Sequence, residues 1–160
     1  MIAHWIWLST RPHISDRVKV ELVRAFHDPE AVFYGDEDSF LRIPGMTPEA
    51  VASLSDKSME EAEQILRSCR KKGLHILTFQ DAAYPSRLKN IPDPPLVFYY
   101  KGRLPEFDAL PVIGVVGTRK ASVYGMNTAR KMGYQIARCG GTVVSGMADG
   151  IDTMATCGAL

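Results

Sequence analysis

The chain has 160 residues, enough for one ordinary domain or two small ones, and its 46% hydrophobic fraction is typical of a globular protein. The formal net charge of +1 excludes a strong positive field over the whole molecule. The three cysteines, Cys69, Cys139 and Cys157, are widely spaced and form no C-x-x-C pair, which argues against a disulfide framework and against a zinc site.

The N-terminal apolar patch is too short for a membrane span and lacks both a basic leader and a small-residue cleavage site, so we expect a cytoplasmic protein without a membrane anchor. Residues 1–72 are predicted to form a helical domain. A cap at Ser15-Asp16 predicts a helix whose apolar face runs from Val18 to Phe26. The last helix spans roughly 58–72 and ends before Gly73.

The segment 41–54 (LRIPGMTPEAVASL) resembles a helix-hairpin-helix, a motif whose backbone amides can contact a DNA phosphate. Met46-Thr47 stand where the usual second glycine would be. Because that substitution removes the close backbone approach that a phosphate contact needs, we favour a packing module with a capped turn.

After Gly73 the pattern changes to strands at 74–79 and 96–100, with a short helix and a proline-rich turn between them. We therefore predict a second domain over 73–160, an extended Rossmann-like sheet that begins with these strands. The chain stops just inside the helix that follows the second glycine turn, so we expect this domain to be truncated at its C-terminal end, as a fragment or a natural truncation.

Two apolar runs in this domain each end in a glycine-rich turn. Residues 112–116 are followed by Gly117-Thr118-Arg119, and residues 142–144 are followed by Ser145-Gly146 and then by Gly150. The segment between the runs has helical spacing, which predicts a strand–turn–helix–strand–turn unit of a parallel sheet. Because such turns meet at one edge of the sheet and expose backbone N–H groups and helix N-termini, they form a crevice that attracts phosphate.

The residue types in the two turns suit an anionic backbone. Arg119 offers a forked and permanently charged donor, and Lys120 adds a point charge. From 111 to 160 there are five Lys or Arg and two acids, a local net charge of +3. Asp152 is expected at the crevice, where it could cap a helix or orient Arg119. The predicted phosphate-binding residues are Gly117, Thr118, Arg119, Lys120, Ser145, Gly146, Ala148, Gly150 and Asp152.

Other nucleotide sites fit poorly. The spacing of Gly114, Gly117 and Gly125 is not G-x-G-x-x-G, and the second strand ends in Ser145 rather than in an acid, which disfavours a nicotinamide dehydrogenase. The P-loop pattern is absent, and no cluster of metal ligands or catalytic nucleophile is visible. We therefore predict a protein that is not an enzyme and that needs neither a cofactor nor a metal.

At this point the motifs resemble those of one family. The stretches VGTR at 116–119, Tyr124-Gly125 and SGMADGID at 145–152, together with Tyr84-Pro85 and the segment 94–102, resemble the DNA-processing protein A (DprA/Smf) family. The likeness covers essentially the whole chain. Two positions depart from the usual family pattern: Asp149 stands where relatives often have Arg, and Thr156 where they often have His.

The resemblance implies an α/β protein, with a helical SAM-like domain over 1–72 followed by an incomplete extended Rossmann-like domain over 73–160. It implies a single-stranded DNA-binding protein that protects incoming DNA and loads RecA recombinase in natural transformation. It also implies that the glycine-turn pocket holds the DNA backbone and that the full-length protein is a homodimer.

Two alternatives remain beside this nucleic-acid-binding hypothesis. The first is a nucleotide-binding or nucleoside-monophosphate-hydrolysing enzyme on the same fold, although its G-G-x-G-T-x-x-E stretch is missing. The second is an interaction domain whose helical front half binds a protein partner while the glycine turns are only structural. We adopt the DNA-binding hypothesis.

Overall fold

The computed structural model describes residues 2–160 and forms two compact units, the first ending at Leu104 and the second running from Pro105 to Leu160. The first unit contains helices and one pair of strands: α1 (Ile2–Thr10), α2 (Asp16–Phe26), α3 (Pro29–Phe33), α4 (Glu37–Leu41), α5 (Pro48–Ser55), α6 (Glu60–Lys72), β1 (His75–Thr78), α7 (Ser86–Lys89) and β2 (Val97–Tyr100). The second unit contains β3 (Val112–Gly114), α8 (Val123–Arg138), β4 (Thr142–Val144) and α9 (Ile151–Ala159). None of the helices within residues 2–160 is long and apolar enough to cross a membrane.

Side-chain caps define the starts of four helices in the first unit. The side-chain oxygens of Ser15, Asp28, Asp36 and Thr47 each accept a hydrogen bond from the backbone N–H three residues later. The helix α6 instead carries acids in its first turn and bases in its last, and it ends at Gly73 in the left-handed conformation. These local rules explain why the helix starts near Ser15 and Thr47 could be predicted.

The core of the first unit is built around α1, whose side chains from Ile6 to Leu8 are fully buried. The Trp7 indole N–H donates to the Asp56 carbonyl over 3.0 Å, and the buried Arg11 guanidinium donates to the Asp56 carboxylate over 3.0 Å. The ammonium of Lys57 lies 5.4 Å from the Trp7 ring centroid, and burial lowers its pKa below the usual lysine value. The loop after α5 is therefore anchored to the core by several polar contacts.

The hairpin-like segment between α4 and α5 packs inward. Ile43 is buried, and Gly45 has φ +85° with the position of a Cβ only 3.1 Å from the Val18 side chain. This arrangement fits the packing role that the sequence favoured for residues 41–54.

The strands β1 and β2 pair antiparallel, with His75 opposite Tyr100 and Thr78 opposite Val97. From the sequence, both strands were instead expected to begin the Rossmann-like sheet. Leu96, just before β2, is buried in the core of the first unit, so this pair packs with the helices. The first compact unit therefore ends at Leu104 and the second begins at Pro105. The domain boundary predicted from the sequence lies earlier in the chain, between 72 and 73.

The second unit is a β–α–β–α segment with a parallel ladder. Val112 lies opposite Thr142 and Gly114 opposite Val144, and α8 connects the two strands. The helices α8 and α9 approach with their backbones in contact, because a Cβ on Gly133 would collide with the carbonyl of Ala155. Small residues, rather than large apolar ones, therefore hold these helices together.

Candidate functional site

The two glycine turns lie against each other at the carboxyl ends of β3 and β4, as the parallel pattern predicted. The Val115 N–H donates to the Val144 carbonyl over 2.9 Å, which extends the ladder into the turns. The Ile151 N–H donates to the Thr118 carbonyl over 3.3 Å. Gly150 has φ +83°, and a Cβ there would collide with the same carbonyl, so only glycine fits this position.

Asp152 supports the turns from inside. Its side chain is only 4% exposed, and its Oδ1 accepts a hydrogen bond of 3.0 Å from the N–H of Gly117. A Cβ on Gly146 would lie 3.3 Å from its other carboxylate oxygen. Asp152 and the Gly117 N–H therefore bind each other, and the part of both residues in phosphate binding stays a prediction.

Ile151 fills the space between the first turn and α8. A Cβ on Gly117 would lie 2.6 Å from the Ile151 Cβ, and one on Gly125 would lie 3.5 Å from its Cδ1. Gly117 is therefore required by this close approach to Ile151. With Asp152 beside it, Ile151 joins both turns and the N-terminus of α8 into one rigid support.

The hydroxyl groups of the turns shape the backbone. Thr118 Oγ1 accepts from the Lys120 N–H over 3.2 Å, and Ser145 Oγ accepts from the Met147 N–H over 3.3 Å. Each hydroxyl can still donate its own proton outward. The Ala148 carbonyl accepts from the N–H and the hydroxyl of Thr153 at the start of α9.

Arg119 and Lys120 are the outward-facing charges of the first turn. Both are exposed, and neither takes part in an ion pair with any other residue from 2 to 160. In the first unit, by contrast, the buried bases Arg11 and Lys19 each contact a carboxylate. The exposed Asp149 in the second turn reduces the local positive charge.

Three exposed apolar side chains border the two turns and were not predicted from the sequence; we call them the apolar rim. Val116 is 79% exposed, Tyr124 is 80% exposed and Met147 is 73% exposed. Met147 also has φ +53°, a conformation that non-glycine residues rarely adopt. A tyrosine two residues after a helix cap was the signal available for the first turn of α8, where Ser122 accepts from the Gly125 N–H.

A second concave surface of this unit lies along α8 and α9. It is a cleft of about 510 Å³, and its lining includes Arg130, Lys131, Tyr134 and Cys157. No group of His, Cys, Asp and Glu side chains in the described part of the chain could hold a metal ion.

Comparison with known proteins gives a consistent picture. The family model described as DNA recombination-mediator protein A matches residues 75–160, more than half of the chain. A Protein Smf of Synechocystis sp. is 40% identical over 92 residues, which span 56% of this chain and 23% of that protein. The DNA processing protein DprA of Bacillus subtilis is 36% identical over 91 residues, which span 57% of this chain and 31% of that protein.

The fold is also found in a solved structure. The X-ray structure of DNA processing protein A from Streptococcus pneumoniae matches with a TM-score of 0.71 and 22% identity, covering 99% of this chain and 54% of that one. This likeness confirms the mixed α/β fold class. The chain spans about half the length of that protein, and its matched segment spans less than a third of the two curated relatives.

Proposed function

Because the chain belongs to the DNA recombination-mediator protein A family, we propose that its glycine turns bind the phosphate backbone of single-stranded DNA. We call this surface the glycine-turn crevice and define it as residues 117–120 and 145–150. The observation that carries the proposal is the exposed pair Arg119 and Lys120, without ion-pair partners within residues 2–160, beside two turns held rigid from inside.

The chemistry of the crevice suits contacts with the phosphate backbone of DNA, which do not depend on the base sequence. Arg119 can donate two parallel hydrogen bonds to one phosphate, and Lys120 adds a charge to the next. The N–H groups of Arg119 and Gly146 have no acceptor among the described residues, so they can join these contacts. Binding through phosphates releases counterions, which makes the affinity fall as salt rises.

The role of the longer protein follows as part of the same proposal. We infer that it protects incoming single strands and loads RecA recombinase on them during natural transformation, as a cytoplasmic homodimer. The family's description as a recombination mediator and the relatives named DNA processing protein support this role.

The test is fluorescence anisotropy with a labelled oligo-dT and a duplex of the same length. Arg119→Ala is expected to weaken single-strand binding about tenfold, since a hydrogen-bonded charge contributes about 1.5–3 kcal/mol. Arg138→Ala is the matched control, because Arg138 is an exposed arginine in the last turn of α8, away from the crevice.

Equal affinities for the wild-type chain and Arg119→Ala would refute the crevice as the DNA site. The nucleotide-enzyme alternative is tested in parallel by incubating the chain with nucleoside monophosphates. Release of ribose phosphate would contradict the assignment as a protein that is not an enzyme.

A further inference from the structure

The apolar rim of the glycine-turn crevice is unusual in its exposure. Among the large hydrophobic side chains of residues 2–160, few are more than two-thirds exposed, and most of these lie at the crevice: Val116, Val123, Tyr124 and Met147. Exposed apolar side chains scattered singly need no explanation, but a group of them beside a charged site indicates a binding surface.

Backbone geometry brings three of these residues together. Val116 precedes Gly117, Tyr124 precedes Gly125, and Met147 follows Gly146. Each of these glycines lies against the Ile151-Asp152 pair, at the distances given above. Because neighbouring Cα atoms are about 3.8 Å apart, the backbone of each of the three apolar residues lies one residue away from a glycine that contacts this pair.

A ligand of this surface must offer an apolar face to the rim and a negative charge to the basic side chains beside it. Arg119 and Lys120 follow Val116 within the same turn, so an anionic group and an apolar face are offered side by side. A nucleotide carries both, since its phosphate is anionic and its base has a flat π-face that stacks on an aromatic ring.

We propose that Tyr124 and Met147 form a stacking platform for the bases of the strand whose phosphates Arg119 and Lys120 bind. This inference rests on the proposed function. The platform accepts only unpaired bases, because those of a duplex are stacked on each other. It therefore supplies the preference for single strands that phosphate contacts alone do not provide.

The conformation of Met147 supports a functional role. Its φ of +53° costs free energy in any residue with a side chain, and the Ser145 hydroxyl holds it in place by accepting its N–H. A glycine at position 147 would adopt this backbone without strain. The sequence instead has a large thioether there, and this side chain is 73% exposed.

The experiment compares an oligo-dT with an oligomer of equal length in which every nucleotide is abasic, so that the phosphates are kept and the bases are lost. Tyr124→Ala is expected to weaken binding of the oligo-dT about tenfold and to leave binding of the abasic oligomer unchanged. Tyr124→Phe keeps the ring and should bind like the wild type. Met147→Gly should weaken only oligo-dT binding, and by less than Tyr124→Ala.

Two controls separate this inference from the proposed function. Arg119→Ala should weaken binding of both oligomers, because it removes a phosphate contact. Tyr134→Ala, an exposed tyrosine farther along α8, should change neither. Circular dichroism confirms that each variant is folded.

The outcomes are distinct. A Tyr124→Ala variant that binds both oligomers like the wild type, or that loses both equally, overturns the stacking platform while Arg119→Ala still tests the phosphate site. Failure of the wild-type chain to bind either oligomer refutes the proposed function, and the platform with it.

Discussion

The two units of this chain bury different kinds of residue. The first unit buries tryptophans, leucines and a phenylalanine, whereas the fully buried hydrophobic residues of the second unit, among residues 105–160, are Ala129 and Ala155. Large apolar side chains in the second unit are instead exposed, both at its turns and along its strands and α8. The comparison indicates that side-chain burial stabilises the first unit, while close backbone packing of α8 against α9 stabilises the second within residues 105–160.

The largest expected change in stability comes from removing a core side chain of the first unit, which tests whether side-chain burial stabilises this unit. Trp7→Ala should lower the free energy of unfolding by about 3–5 kcal/mol, because Trp7 is 0% exposed and its indole N–H anchors the loop at Asp56. Urea denaturation measures this change. Tyr34→Ala, at a 75% exposed position, is the control and should stay within about 0.5 kcal/mol of the wild type. A loss below about 1 kcal/mol for Trp7→Ala would contradict a core centred on α1.

Adding a single methyl group tests the second unit. Gly133→Ala should destabilise this unit by about 1–3 kcal/mol, because the new Cβ would collide with the Ala155 carbonyl and force α8 and α9 apart. Hydrogen exchange of the amides of α8 and α9 reports the change. Gly114→Ala is the matched control, since nothing lies within 4 Å of a Cβ at that position. Equal protection in both variants would show that the helices do not depend on this backbone contact.

The smallest expected effect is a pH dependence confined to the first unit. Burial, together with the nearby Asp16 charge, raises the pKa of Tyr84 from 10.0 to about 12, and its hydroxyl donates to the Pro95 carbonyl over 2.7 Å. The folded state therefore keeps a proton that the unfolded state loses, so this stability is complete below pH 10 and is lost as the pH rises towards about 12.

Tyr84→Phe should reduce this alkaline decline, leaving the part due to Tyr99, whose pKa burial also raises, and should cost about 1 kcal/mol at neutral pH through the lost hydrogen bond. Urea midpoints measured across the alkaline range compare the variant with the wild type. An unchanged decline in Tyr84→Phe would assign it to another group.

The features that could be predicted from sequence are those that depend on neighbouring residues. The cap at Ser15, the capped turn at Thr47 and the stop at Gly73 all follow from local chemistry. The paired glycine turns belong to this group, because a strand and the turn that follows it are contiguous in the chain.

The features that sequence reasoning missed depend on contacts between distant residues. The hydrogen bond between the Asp152 carboxylate and the Gly117 N–H joins the first turn to the start of α9, 35 residues later in the chain, so it carries no local sequence signal. The burial of Leu96 in the core of the first unit likewise depends on residues far from it in the chain, and the domain boundary at 72–73 stays a prediction. The left-handed backbone of Met147 is equally hidden, since glycine is the residue that normally marks such a conformation.

The central claim is that the glycine-turn crevice, rather than the helical first unit, binds single-stranded DNA. The most direct measurement is a titration of the isotope-labelled chain with oligo-dT, followed through the backbone amide NMR signals. The account predicts that the largest shifts occur at residues 117–120 and 145–150 and that they are lost in Arg119→Ala. Shifts concentrated in the hairpin at 41–54, with the crevice unchanged, would contradict it.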